Sequence, residues 1–235
     1  MANMKENNGF NIAEFIAKRG APKGAIDWAR PYGGDLRRMW VECDRGEFMV
    51  SVATNLLVPF TSVVQAAAEC VSSSMRGVDD EFIPGELSVA LGLIDRFSVA
   101  GGHSDELKEV LFPLQKLIEE YRGRGEIDHP THRYLEAVLS LGTAYLMLPV
   151  DTSKAHAQLS AALQAAAHAR VGVVKCEGVP MSVCRYVYNQ ALGEFADRVR
   201  DFIPYEVLVG GAVKTAIIYR AMRNGDNIDS DPVVC

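Results

Sequence analysis

The chain has 235 residues, 49% of them hydrophobic, enough to bury one sizeable core and close to the length beyond which chains divide into separate cores. Its 24 basic and 30 acidic side chains leave a formal net charge of −6, which excludes the basic excess that nucleic-acid phosphates demand and favours a basic protein as partner. Five cysteines (Cys43, Cys70, Cys176, Cys184 and Cys235) are an odd number with no secretory leader pattern ahead of them, so reduced thiols in a cytoplasm are expected. The most apolar late stretch, 207–219, carries Lys214 and falls short of the ~20 apolar residues a membrane span needs.

In chain order, Leu36, Met39, Trp40 and Cys43 predict a short helix with Asp35 as its N-cap, and Phe48, Met49, Val52, Leu56 and Leu57 predict the next. Pro59 suits a first helical turn, and Phe60, Val63, Val64, Ala67, Ala68 and Val71 then form one apolar stripe. Leu87, Ala90, Leu91, Ile94 and Phe97 form another, ending at Gly101-Gly102. Ser104, Asp105 and Glu106 open a helix through Leu107, Val110, Leu111, Leu114, Leu117, Ile118 and Tyr121, which Pro113 is expected to kink or split.

After the polar turn 123–128, a helix carries Leu135, Val138, Leu139 and Leu146. Asp151 or Thr152 caps an alanine-rich helix to about Val171, whose Ala155, Ala162, Ala166 and Ala169 let neighbours approach closely. The clearest stripe is Val183, Val187, Ala191, Leu192, Phe195, Val199, Phe202 and Ile203, between Pro180 and Pro204. A last helix over 205–223 is expected, weakened by Gly210-Gly211 and open to an extended alternative at Val207-Leu208-Val209. No alternating strand pattern with hairpin turns occurs. The expected fold is all-α, an irregular helical bundle or a HEAT-like array of about nine or ten helices, with one domain over 1–223 and a loose acidic tail over 224–235.

Catalytic and metal constellations are absent from the pattern. Gly101-Gly102 and Gly210-Gly211 lack the strand-to-helix context of a phosphate loop, and no Gly-x-Ser-x-Gly elbow exists. Asp128, His129 and His132 at a helix start read as a cap with two solvated imidazoles rather than a metal site. His156 and His168 lie on one helix but roughly 120° apart around it. Cys176 and Cys184 straddle a turn at Gly178 and read as a loop thiol and a buried thiol rather than a redox pair. Arg37-Arg38, Arg122-Arg124 and Arg198-Arg200 read as solvated or locally paired. Neither a cofactor nor catalysis is expected.

One stretch is distinctive: Trp40, Val41, Glu42, Cys43, Asp44, Arg45, Gly46, Glu47, Phe48, Met49, followed by Ala67-Ala68-Glu69-Cys70. It resembles the pattern Trp-x-x-Cys-x-Arg-Gly-Asp-Trp-Met, then an Ala-rich helix with Cys, in an all-helical family of bacterial immunity proteins from polymorphic toxin systems. A second block, Ala196, Asp197, Arg198, Val199, Arg200, Asp201, Phe202, Ile203 and Pro204, is similar to that family's closing motif. Glu47 and Phe48 stand where the family has Asp and Trp. The resemblance implies a stoichiometric inhibitor of a cognate toxin.

The motif also has a physical reading. Trp40, Cys43, Gly46, Phe48 and Cys70 suit a packing clasp in which Gly46 permits a sharp turn and Phe48 and Met49 open the next helix into the core. Asp44, Arg45, Glu47, Asp197 and Arg200 remain as candidates for partner contact, with Arg45 alternatively pinning the corner through Asp197 or Asp201. A helical adaptor, or a helical enzyme using His129 and His132, are the competing readings.

Overall fold

The structure is a computed structural model that describes residues 11–102, 104–147, 151–176 and 178–224, with side chains at all of these except 152 and 216–224. Its elements run α1 (Ile12–Ala17), α2 (Lys23–Ala29), a 3-10 turn (Arg30–Tyr32), α3 (Leu36–Glu42), α4 (Gly46–Asn55), α5 (Phe60–Met75), a second 3-10 turn (Asp80–Phe82), α6 (Gly85–Ala100), α7 (Ser104–Gly123), α8 (Pro130–Met147), α9 (Thr152–Cys176), α10 (Met181–Phe202) and α11 (Tyr205–Asn224). No strand occurs among the described residues, and none of these helices is long and apolar enough to cross a membrane. The tail beyond Asn224, including Cys235, lies outside the described residues.

Local chemistry explains the helix starts. The Asp35 carboxylate accepts the Arg38 amide at 2.9 Å, Asp151 accepts that of Lys154 at 3.0 Å, and the Asn11 side chain does the same for α1. Pro59 stands one residue before α5, not inside it, and its carbonyl accepts the Val63 amide. Gly101, at φ +72°, ends α6 as the paired glycines predict.

Several expectations are corrected. α1 and α2 precede the first helix read from the pattern, and α9 continues past Val171 to Cys176. Pro113 does not split α7: it sits on the exposed face, as does Glu109, whose carbonyl loses its amide partner and is left to water. Residues 207–209 are helical, and Gly211 is a contact rather than a break, since a Cβ there would strike the Leu56 carbonyl and stand 3.1 Å from the Val58 amide. On α10, Val183 and Phe202 are exposed, and Cys184 takes the buried position at the N-terminal end of the stripe.

α9 is the central helix. It packs against α4, α5, α8 and α10, and its Leu159, Ala162, Leu163, Ala166, Ala167 and Ala169 are wholly buried. Short side chains on a surrounded helix let several neighbours close in at once. α10 returns to lie on α4 and α5, which closes the chain into a bundle instead of the open succession of an array. α6 and α7 form an outer layer on α5 and α8.

Candidate functional site

The Trp40–Met49 block folds as a tight corner between α3 and α4, seated on α10. Trp40 and Met49 are fully buried, and Phe48 packs at the edge of the core, 6.1 Å from the Trp28 ring and under the Arg45 guanidinium at 4.8 Å. Gly46 does not supply an unusual φ. It opens α4 directly against α10, where a Cβ would lie 2.6 Å from Phe195 Cβ, 2.8 Å from its carbonyl carbon and 3.0 Å from the Ala196 nitrogen. The glycine is needed for close approach, so the expected role as a turn residue is corrected.

The two motif cysteines seal this contact. Cys43 is buried, donates its S–H to the Arg45 carbonyl at 3.3 Å, and burial pushes its thiol up to about 12. Cys70 on α5 donates to the Phe195 carbonyl at 3.6 Å, and burial raises its pKa also. Both behave as small apolar side chains with a weak donor.

The polar residues divide sharply. Glu47, expected at a partner surface, has 0% exposure and receives two hydrogen bonds from the Arg45 guanidinium on one oxygen, the Nε bond at 2.8 Å. Its other oxygen has no hydrogen-bond partner among the described residues. Burial therefore raises the Glu47 pKa even though Arg45 opposes the shift. The Arg45 partner is thus Glu47, two residues away, not Asp197 or Asp201. Tyr188 of α10 completes the surroundings: its pKa is raised by burial and then by the Glu47 charge.

Arg200 is likewise turned inward. Its Nη1 donates to the carbonyls of Cys43 at 2.8 Å and Trp40 at 3.2 Å, while Nη2 donates to Asp197 at 2.6 Å. One guanidinium from the end of α10 thereby satisfies carbonyls left free at the end of α3. Only Asp44 and Asp197 among the candidate contact residues are well exposed, Asp197 with 75% of its side chain accessible. The backbone of Asp44 lies beside Gly193, and Asp197 follows one turn later on α10, so both belong to one corner.

Other residues singled out by sequence do not converge on this corner. His132 is buried, not solvated: its imidazole stands 3.7 Å from Glu136, and desolvation lowers its pKa. His129 accepts the Thr131 amide at 3.3 Å and so supplies the capping role expected of Asp128, which pairs with Arg133 and Lys175. His156 is buried on α9, whereas His168 is exposed and stacks on Tyr188 with ring centroids 4.6 Å apart. Cys176 is exposed and Cys184 buried, both free thiols. Arg198 pairs with Asp201, and Arg122 with Glu119 and Glu136, the local pairing expected of them. No group of three or more His, Cys, Asp or Glu able to hold a metal is found among the described residues.

Two structural residues have no signal in the pattern. Arg170 bonds Glu194 and the Ser73 carbonyl while lying over the Phe195 ring, and the Tyr134 hydroxyl donates to the Ser74 carbonyl at 2.7 Å. Both close the C-terminal end of α5 from distant helices. Compared with family models, curated proteins and solved structures, the chain matches none of them.

Proposed function

We propose that the chain is a stoichiometric protein binder, an immunity protein that occludes the active surface of a basic cognate toxin in the cytoplasm. The observation that carries this reading is the corner itself. Arg45, Glu47 and Arg200 are committed inside it, which leaves Asp44 and Asp197 as its two exposed carboxylates, Asp197 while accepting a hydrogen bond from Arg200, on a scaffold that Arg200 and the Gly46–Phe195 contact immobilise. Pre-positioned charge of this kind steers and orients a partner of opposite sign without an ordering cost on binding. The net charge of −6 acts in the same direction.

The test is co-expression with the protein encoded in the adjacent reading frame. The expected outcome is a one-to-one complex that protects cells from that protein, weakened about tenfold by Asp44→Lys with Asp197→Lys. Absence of both complex and protection would sink the reading. A complex that leaves its partner active would place the chain among helical adaptors instead.

A further inference from the structure

A second surface lies away from the corner, between α5 and α6. An open cleft of about 570 Å³ runs along the two helices, and the 76–84 connection closes one end of it. Ala68, Ser72 and Met75 line it from α5, and Ser88, Gly92 and Asp95 from α6. Each set is spaced by four and then three residues, so each forms one face of its helix over about 10 Å, roughly two turns. Small side chains make the walls, and the half-buried Met75, Val78, Ile83 and Leu91 make an apolar floor. Above Gly92 the space is open: a Cβ there would meet nothing within 4 Å among the described residues.

The rim has one dominant sign. Arg76 is paired with Glu69 at 2.7 Å, which cancels both charges. Asp80 and Asp95, which line the cleft, form no ion pair among the described residues, and neither do the exposed Asp79, Glu81 and Glu86 at its closed end. A trough of mixed lining, with an apolar floor, polar walls and uncompensated carboxylates along its edge, is complementary to a segment that is apolar along one narrow face and cationic at its margins.

We propose that the α5–α6 groove is the docking site for a helical segment of about two turns in the partner, apolar on one side and flanked by Lys or Arg. The proposal deepens the reading of the chain as a protein binder and rests on it. The groove holds the apolar face of the segment, the rim carboxylates fix its position, and the separate acidic corner at Asp44 and Asp197 offers a second point of attachment.

The test uses the full chain and a phage-displayed library of short helical peptides. Gly92→Trp directs a bulky side chain at the groove from a position where the Cβ itself enters open space. Asp80→Lys with Asp95→Lys reverses the rim. Enriched peptides are expected to be amphipathic and rich in Lys or Arg, and to bind both variants at least about tenfold more weakly than the parent, with unchanged circular dichroism. Enrichment of acidic or uncharged peptides, binding that is undiminished by Gly92→Trp, or no enrichment at all overturns the proposal. Self-association abolished by Gly92→Trp would assign the groove to a second copy and overturn it also. A toxin complex that survives Gly92→Trp intact removes the groove while leaving the immunity reading in place. Groove-dependent peptide binding without any toxin complex does the reverse.

Discussion

A Cβ placed on Gly46 would stand 2.6 Å from the Cβ of Phe195, so the first turn of α4 and the middle of α10 meet with no side chain between them. Two of the neighbouring atoms belong to the α10 backbone, which cannot yield as a flexible side chain would. Gly46→Ala is expected to lower stability by about 2 kcal/mol, the overpacking cost exceeding the small propensity gain at a helix start. Gly92→Ala, in open space within α6, is expected to raise it by up to about 1 kcal/mol. Urea denaturation of the pair checks both signs, and equal effects would rule out the close contact.

The Arg45–Glu47 pair is predicted to be asymmetric. Arg45→Met strands a carboxyl that has no exposure and should cost about 3 kcal/mol, whereas Glu47→Gln keeps an acceptor for Arg45 and should cost less. Because burial raises the Glu47 pKa in the folded state, its ionisation penalises folding as pH rises above the ordinary carboxylate range. Glu47→Gln should therefore compare better with the parent at pH 8 than at pH 4, a trend read from melting curves across that interval. A stability difference that is flat with pH would contradict the buried pair.

Arg200 and Asp197 share a hydrogen bond yet should behave differently. Arg200→Met leaves the Trp40 and Cys43 carbonyls without their charged donor, at a cost of about 2 to 3 kcal/mol, and Arg200→Lys should not restore both bonds. Asp197→Asn removes an exposed partner and should change stability by less than about 1 kcal/mol. Chemical denaturation of the three variants separates a residue that holds the fold from one available for recognition.

His156 predicts an acid-sensitive step. Burial, with Arg19 nearby, lowers its pKa from 6.5 to about 4, so the folded protein holds it neutral. Its contribution is fully present above pH 6.5 and is lost as pH falls toward about 4, a difference on the order of 3 kcal/mol across that range. His156→Asn should flatten the decline between those pH values in thermal melts. An unchanged slope would mean that His156 protonates freely in the folded chain.

Most helices from α4 onward were legible because their stripes of apolar residues run long enough to establish a helical period, and the seven-residue α3 because Leu36, Met39, Trp40 and Cys43 hold that spacing behind a capping Asp35. α1 and α2, six and seven residues long, were not read from the pattern. Pro113 and Gly210-Gly211 were read as weaknesses because a local rule cannot tell whether a proline faces water or whether a glycine meets another segment. The motif residues were legible as a group, and its members Trp40, Cys43, Met49 and Cys70 lie buried. Its polar members were not: Glu47 carries a charge, and nothing in its neighbourhood along the chain announces that α10 will cover it.

Sequence alone determined that this chain is a stack of helices, since a period of three to four apolar positions is a property of each segment by itself. Only the tertiary structure decided that the stack closes, that Arg200 serves carbonyls more than 150 residues away, and that Glu47 is interior while Asp44 and Asp197 face solvent. These facts depend on which helix lands on which. That choice is set by matching small residues such as Gly46 to backbone surfaces elsewhere in the chain, a complementarity between distant segments that no local pattern records.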